Sequence, residues 1–230
     1  MTSSSSDSRS PLNVIACGAI ARHVDDIAKR RNWDITIHPL PPLLHNTPKD
    51  IAPEVERLIR ELMPARMAVA YADCGTYGAL DAVIAKYGIG RLRGAHCYDV
   101  FAGANVVQHL LDEQPGTYFF TDYLVKGFHR SVVVELGLDT HPELREDYFR
   151  HYTRVVWLAQ QPTAELQNAA EAAAAVMGLP LETRIVGDVG QGVLRDRRVL
   201  AEEGVVVVVV TVDVQRGETT PVNISLSRNR

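Results

Sequence analysis

The three cysteines of this chain, Cys17, Cys74 and Cys97, each stand where a short run breaks off beside glycine or histidine. Cys17 closes NVIAC and precedes Gly18. Cys74 lies in MAVAYADCGTYG between Asp73 and Gly75, and Cys97 follows Gly94 and His96 in RGAHCYD. A short apolar run marks a buried strand, and open α/β sheets bind ligands beyond the carboxyl ends of their strands. Three thiolates gathered there would hold Zn²⁺ with a fourth position left for water or substrate. They would equally hold three irons of a four-iron cluster, leaving one iron open. Such soft ligands disfavour magnesium and calcium. The same cysteines also suit a plainer role as small buried apolar side chains. No CxxC pair occurs, so the zinc-ribbon spacing is absent.

Other side chains could share that site. His45 sits in the proline-stiffened loop PLPPLLHNTP, as a metal ligand, as a general base, or as a loop histidine bonded to backbone. His96, next to Cys97, faces the same way as the thiol only if the strand has already ended. Asp73 is placed either to orient a ligand histidine or to cap the next helix. Gly75, Thr76 and Gly78 form a turn able to cradle an anion, although CGTYG is neither a Walker nor a GxGxxG fingerprint. Asp122, in FFTDYL, is expected as a helix N-cap, and Tyr118, Phe119 and Phe120 as core.

The elements that must position these residues follow from apolar periodicity. Asn13–Cys17 is a predicted strand, and 19–31 a helix with Ile20, Val24, Ile27 and Ala28 on one face. Asp34–His38 is a second strand. Pro39, Pro41 and Pro42 exclude regular helix or central strand after it. A helix through Val55, Leu58, Ile59 and Leu62 leads to the strand starting at Met67. Ala79–Lys86 is helical, Arg91–Ala95 leads to His96 as strand, and a helix runs through Val106, Val107, Leu110 and Leu111. A further helix spans Asp122 to Gly137, and HPELREDYFRHY is another. Arg154–Ala159 is a strand, Thr163 caps a helix closed by Gly178, and Leu181–Val186 is a strand. Alternation of this kind implies a three-layer, mostly parallel, Rossmann-like α/β sheet with helices on both faces. Residues 1–10 are expected as a tail, 11–186 as the α/β domain, and 187–230 as an appended helix–strand segment whose VVVVVVTVDV is buried on both faces.

The totals exclude several classes. With 230 residues and 46% hydrophobic content the chain can bury one sizeable core. A net charge of -4 argues against nucleic acid or an anionic membrane as partner. No apolar run reaches the ~20 residues of a membrane helix. MTSSSSDSRSP lacks the apolar centre of a secretory signal. The expectation is a cytoplasmic protein in which an odd number of cysteines favours thiol or metal chemistry over structural disulfides.

Taken together, ACGAI, LPPLLHNTP, YADCGTYG, HCYDVFAG and PGTYFFTDYLVKGF resemble an uncharacterised prokaryotic family, domain of unknown function 1638, over residues 13–186. The resemblance implies an association with corrinoid-dependent methyltransferase systems and one-carbon metabolism. GDVGQGVLRDRRVLAEEGVVVVVVTVD, residues 187–213, is similar to the segment of ribonuclease J beyond its nuclease core. The HxHxDH motif of that nuclease is absent, so no nuclease activity is implied.

The expected function is therefore a metal-dependent transferase or lyase with a Cys17/Cys74/Cys97 centre of zinc or iron–sulfur type, acting on a small molecule. Its partner, by the resemblance, would be a corrinoid protein. His45 would stand by the open position as acid or base. The alternative is a non-catalytic accessory protein, or a phosphate-binding protein using CGTYG.

Overall fold

A computed structural model describes residues 11–186. The expected tail over 1–10 and the appended segment over 187–230 lie outside the described residues. Within them the chain forms two compact units, one of residues 11–71 and 76–91, the other of 72–75 and 92–186. Each is built on its own three-stranded parallel sheet.

In the first unit the order of elements is β1 (Leu12–Cys17), α1 (Gly18–Arg31), β2 (Ile35–Leu40), 3₁₀ turns at Pro42–Asn46 and Pro48–Asp50, α2 (Ile51–Leu62), β3 (Met67–Ala70) and α3 (Ala79–Ala85). The strands run β2-β1-β3, with Ala16 opposite both Pro39 and Ala70. From β1 the chain steps outward to β2 and then crosses to the far side as β3. Right-handed crossovers therefore place α1 and α2 on opposite faces. Val14, Ile15, Ala16 and Cys17 are all buried, as are all four residues of β3, which fits strands covered on both sides. Asn32 ends α1 in the left-handed conformation, its amide and that of Trp33 returning to the last turn. Among the described residues β2 is an outer strand, which is why it tolerates Pro39.

The second unit holds α4 (Cys97–Ala102), α5 (Ala104–Glu113), β4 (Thr117–Thr121), α6 (Asp122–Phe128) continued by a π-helical stretch (His129–Val134), a 3₁₀ turn at Pro142–Leu144, α7 (Arg145–Phe149), β5 (Arg154–Ala159), α8 (Ala164–Met177) and β6 (Leu181–Ile185). Its strands follow sequence order, β4-β5-β6. The two faces of β5 divide the core. Val155, Trp157 and Ala159 pack with Phe120, Phe128, Phe149 and α8, while Val156 and Leu158 pack with Phe119, Val107 and Leu110. Alternate side chains thus serve opposite helical layers. The whole is an α/β fold of parallel strands with helices around them, as predicted, and Phe119 and Phe120 are core.

Three local expectations need correction. Arg91–Ala95 is no strand. Only Arg91 bridges to Val69, and Gly94, at φ 127°, turns the chain where a β-carbon would lie 2.8 Å from Asp99 Cβ. Cys97 consequently opens a helix instead of closing a strand, with the Asp99 carboxylate accepting the amides of Ala95 at 2.7 Å and His96 at 3.2 Å. At the start of α6 the cap is Thr121, whose hydroxyl accepts the Leu124 amide at 3.2 Å. Asp122, only 2% exposed, instead takes the indole N–H of Trp157 and the amides of Gln160 and Gln161.

Arg154 pins the opposite end of this sheet. Its guanidinium donates to Thr117 Oγ1, the Leu110 carbonyl, Glu113 and Glu182 at 2.8–3.1 Å. Tyr118 lies in an edge-on aromatic cluster with Phe120, Phe149 and Tyr152, and burial raises its phenol to about 12. The unfolded chain ionises this group near 10, so the protein sheds stability as pH rises from there through 12. The loss amounts to about 2–3 kcal/mol. Urea melts between pH 9 and 12 check this, and Tyr118→Phe is expected to flatten that part of the profile. No described helix is long and apolar enough to cross a membrane.

Candidate functional site

The carboxyl edge of the first sheet carries the clearest arrangement of reactive groups. In a β2-β1-β3 sheet the strand order reverses between β1 and β3, and open α/β sheets bind ligands beyond the carboxyl ends of strands at such a reversal. Cys17 is the last residue of β1 and the residue before α1, 1% exposed. Its Sγ lies 3.7 Å from Nε2 of His45. The remaining ring nitrogen, Nδ1, is 2.7 Å from the carbonyl oxygen of Pro42. A carbonyl can only accept, so Nδ1 carries the proton and Nε2 offers its lone pair to the sulfur side. The ring of Tyr71, fully buried just beyond β3, stacks on the imidazole at 5.7 Å with a 26° tilt.

This geometry follows from local sequence. Pro42 opens a 3₁₀ turn, and a tight turn with i to i+3 spacing brings His45 back over the carbonyl of residue 42. Three prolines fix the entry to that turn. The 14-residue helix α1 points its N-terminal amides at Cys17, whose side chain caps none of them. Both the amides and the helix dipole favour negative charge there.

A sulfur and an imidazole nitrogen bound to one tetrahedral zinc stand roughly 3.6 Å apart, given ordinary Zn–S and Zn–N lengths. The observed 3.7 Å matches that edge. A histidine ligand whose other nitrogen donates to a backbone carbonyl is the usual outer-shell arrangement. The pair equally matches a thiol and its base, the base being oriented by a third group. Among the described residues no group of three or more His, Cys, Asp or Glu side chains is placed to hold a metal ion.

The other predicted residues fall as follows. Thr76 and Gly78 belong to the first unit, Thr76 buried and Gly78 at φ 85° immediately before α3. The N-cap of α3 is Gly78, five residues beyond Asp73. Asp73, Cys74 and Gly75 group with the second unit, where the amides of Asp73 and Cys74 donate to the carbonyls of Gly94 and Ala95 at 3.0 and 2.7 Å. Cys97 lies two residues beyond that contact. Both thiols are near enough to Tyr98 to add to the main effect there, burial, which pushes its phenol well above the ordinary range. His96 is exposed, its ring 6.2 Å from that of Tyr98.

The structure thus brings Cys17 to His45, and adds two residues that sequence reasoning passed over, Pro42 and Tyr71. A histidine three residues after a proline in a PLPP run is a usable signal for the first. Nothing local marks the second.

A family profile described as "Protein of unknown function (DUF1638)" matches residues 39–190. The chain belongs to this family. No curated protein and no solved structure matches it. The DUF1638 match takes in His45, Tyr71, Cys74 and Cys97, while Cys17 and Gly18 precede it.

Proposed function

We propose that this DUF1638 protein is a metal-dependent enzyme whose centre is thiolate-bound, with Cys17 and His45 as two of the ligands. The observation that carries the proposal is the 3.7 Å separation of Cys17 Sγ from His45 Nε2, with Nδ1 tied to Pro42. An imidazole in the ligand set favours zinc over an iron–sulfur cluster. A zinc ion so held would bind a substrate thiol as thiolate. Cys17 partly neutralises the dication, which disfavours plain hydrolysis relative to a histidine-only site. Transfer of a one-carbon group to or from sulfur in a small molecule is the chemistry that fits best. Pro42 fixes the imidazole tautomer, and Tyr71 limits the tilt of the ring. The partner implied by the family resemblance is a corrinoid protein supplying or receiving that group.

Metal analysis of protein purified with and without oxygen tests the proposal. About one zinc per chain is expected, and it should be lost in Cys17→Ser. Cys74→Ser and Cys97→Ser are measured alongside. Loss in all three variants is the result expected of the three-cysteine centre, and loss in Cys17→Ser alone is that of the Cys17–His45 pair. A metal-free protein with full activity would sink the proposal and leave the pair as nucleophile and base.

A further inference from the structure

Gly18 begins α1, a position where alanine is the better helix former. Its backbone lies outside the left-handed region, so the conformation itself does not call for glycine. Space does. A β-carbon there would stand 2.5 Å from the Leu40 carbonyl oxygen, 3.0 Å from Pro42 Cδ and 3.1 Å from Pro42 N. These are backbone atoms and a proline ring, none of which can swing aside as a flexible side chain would. Contacts that short are repulsive, and a packed segment answers them by shifting.

Gly18 is bonded to Cys17, and the atoms it would displace lead straight to His45. The carbonyl of Pro42 holds His45 Nδ1, so movement of Pro42 carries the imidazole with it. We infer that Gly18 is a positioning residue: its missing side chain lets the turn at Pro42–Asn46 close onto the end of β1 and sets the distance between Cys17 and His45. This rests on the proposal that the pair is the functional centre, and names what holds it to length.

The test uses the full chain with Gly18→Ala, Gly116→Ala and Cys17→Ser. Gly116 is the control for crowding, since a β-carbon there would meet the His151 carbonyl and Thr153 Oγ1 at 2.8 Å in the second unit. Co²⁺ is the metal probe, followed by thiolate-to-metal absorption. Thermal melts identify a temperature at which every variant is folded. Gly18→Ala is expected to bind Co²⁺ about 10–100-fold more weakly than wild type, the range seen when outer-shell support of a ligand is lost. Gly116→Ala should melt earlier yet bind as wild type does. In metal-free protein, the His45 ring ¹⁵N signals should shift alike in Gly18→Ala and Cys17→Ser and stay put in Gly116→Ala. Unchanged ring signals and unchanged Co²⁺ affinity in folded Gly18→Ala would overturn the inference. If wild type shows no thiolate band with Co²⁺, the metal proposal fails by itself, and the ring signals still decide the role of Gly18.

Discussion

Replacing Asp122 by alanine is expected to destabilise the protein by about 3–5 kcal/mol, the largest loss foreseen for any single side chain described. The carboxylate is buried at the end of β4 and closes three hydrogen bonds. Its Oδ1 accepts from Trp157 Nε1 at 3.0 Å and the Gln160 amide at 3.1 Å, and its Oδ2 accepts from the Gln161 amide at 2.8 Å. The Asp122 amide in turn donates to Gln160 Oε1 at 2.8 Å. Alanine removes the acceptor of two buried donors, the Trp157 indole and the Gln160 amide, and a buried unmade bond is worse than a bond never provided for. Trp157, wholly buried on β5, would lose the acceptor of its indole N–H and keep its bulk. Asp122→Asn retains one acceptor oxygen and should lose less than half as much. Urea denaturation measures both, as a shift of midpoint at constant slope. A loss below about 1 kcal/mol for the alanine variant would show that the carboxylate does not tie β4 to the end of β5.

His45→Ala is expected to lower zinc affinity by more than about a hundredfold, beyond what removal of an outer-shell partner does. The sequence alone pointed to a milder outcome, with metal kept and turnover lost, because it placed His45 beside the centre as acid or base. Geometry changes the expectation. Nε2 faces Cys17 Sγ at the separation of two ligands on one ion, and Nδ1 is already committed to Pro42. Ligand nitrogens and thiolates must be free of protons to bind metal, so affinity in the wild type should rise with pH until both are. Competition against a chromophoric chelator gives the number directly. Wild-type affinity in folded His45→Ala would return His45 to the acid–base role.

Elements with strong local signals could be read from the sequence closely. β5, apolar from Val155 to Ala159, is matched residue for residue, and α8 runs from the Thr163 cap to Gly178 as its chemistry requires. β4 escaped notice because TYFFT is a short apolar run, which periodicity alone does not separate from a buried piece of helix. RLRGA was over-read as strand, since it has no β-branched residue and its glycine serves a close approach to Asp99. At the site, proline stiffness made His45 visible, but its partner Cys17 lies 28 residues away. Contacts of that span are set by how a turn closes over a strand end, and Gly18 shows the difficulty. Its neighbour is a backbone carbonyl with no side-chain identity to read.

The proline run that delivers His45 also shapes how the first sheet meets its surroundings. Among the described residues β2 is one of that sheet's two outer strands, and Pro39 lies within it. Proline is accommodated in an outer strand with its nitrogen turned to solvent, where it has no hydrogen to offer an arriving strand. Two copies of this protein meeting along that side would find the ladder interrupted, and sheet growth from one molecule to the next would stall there.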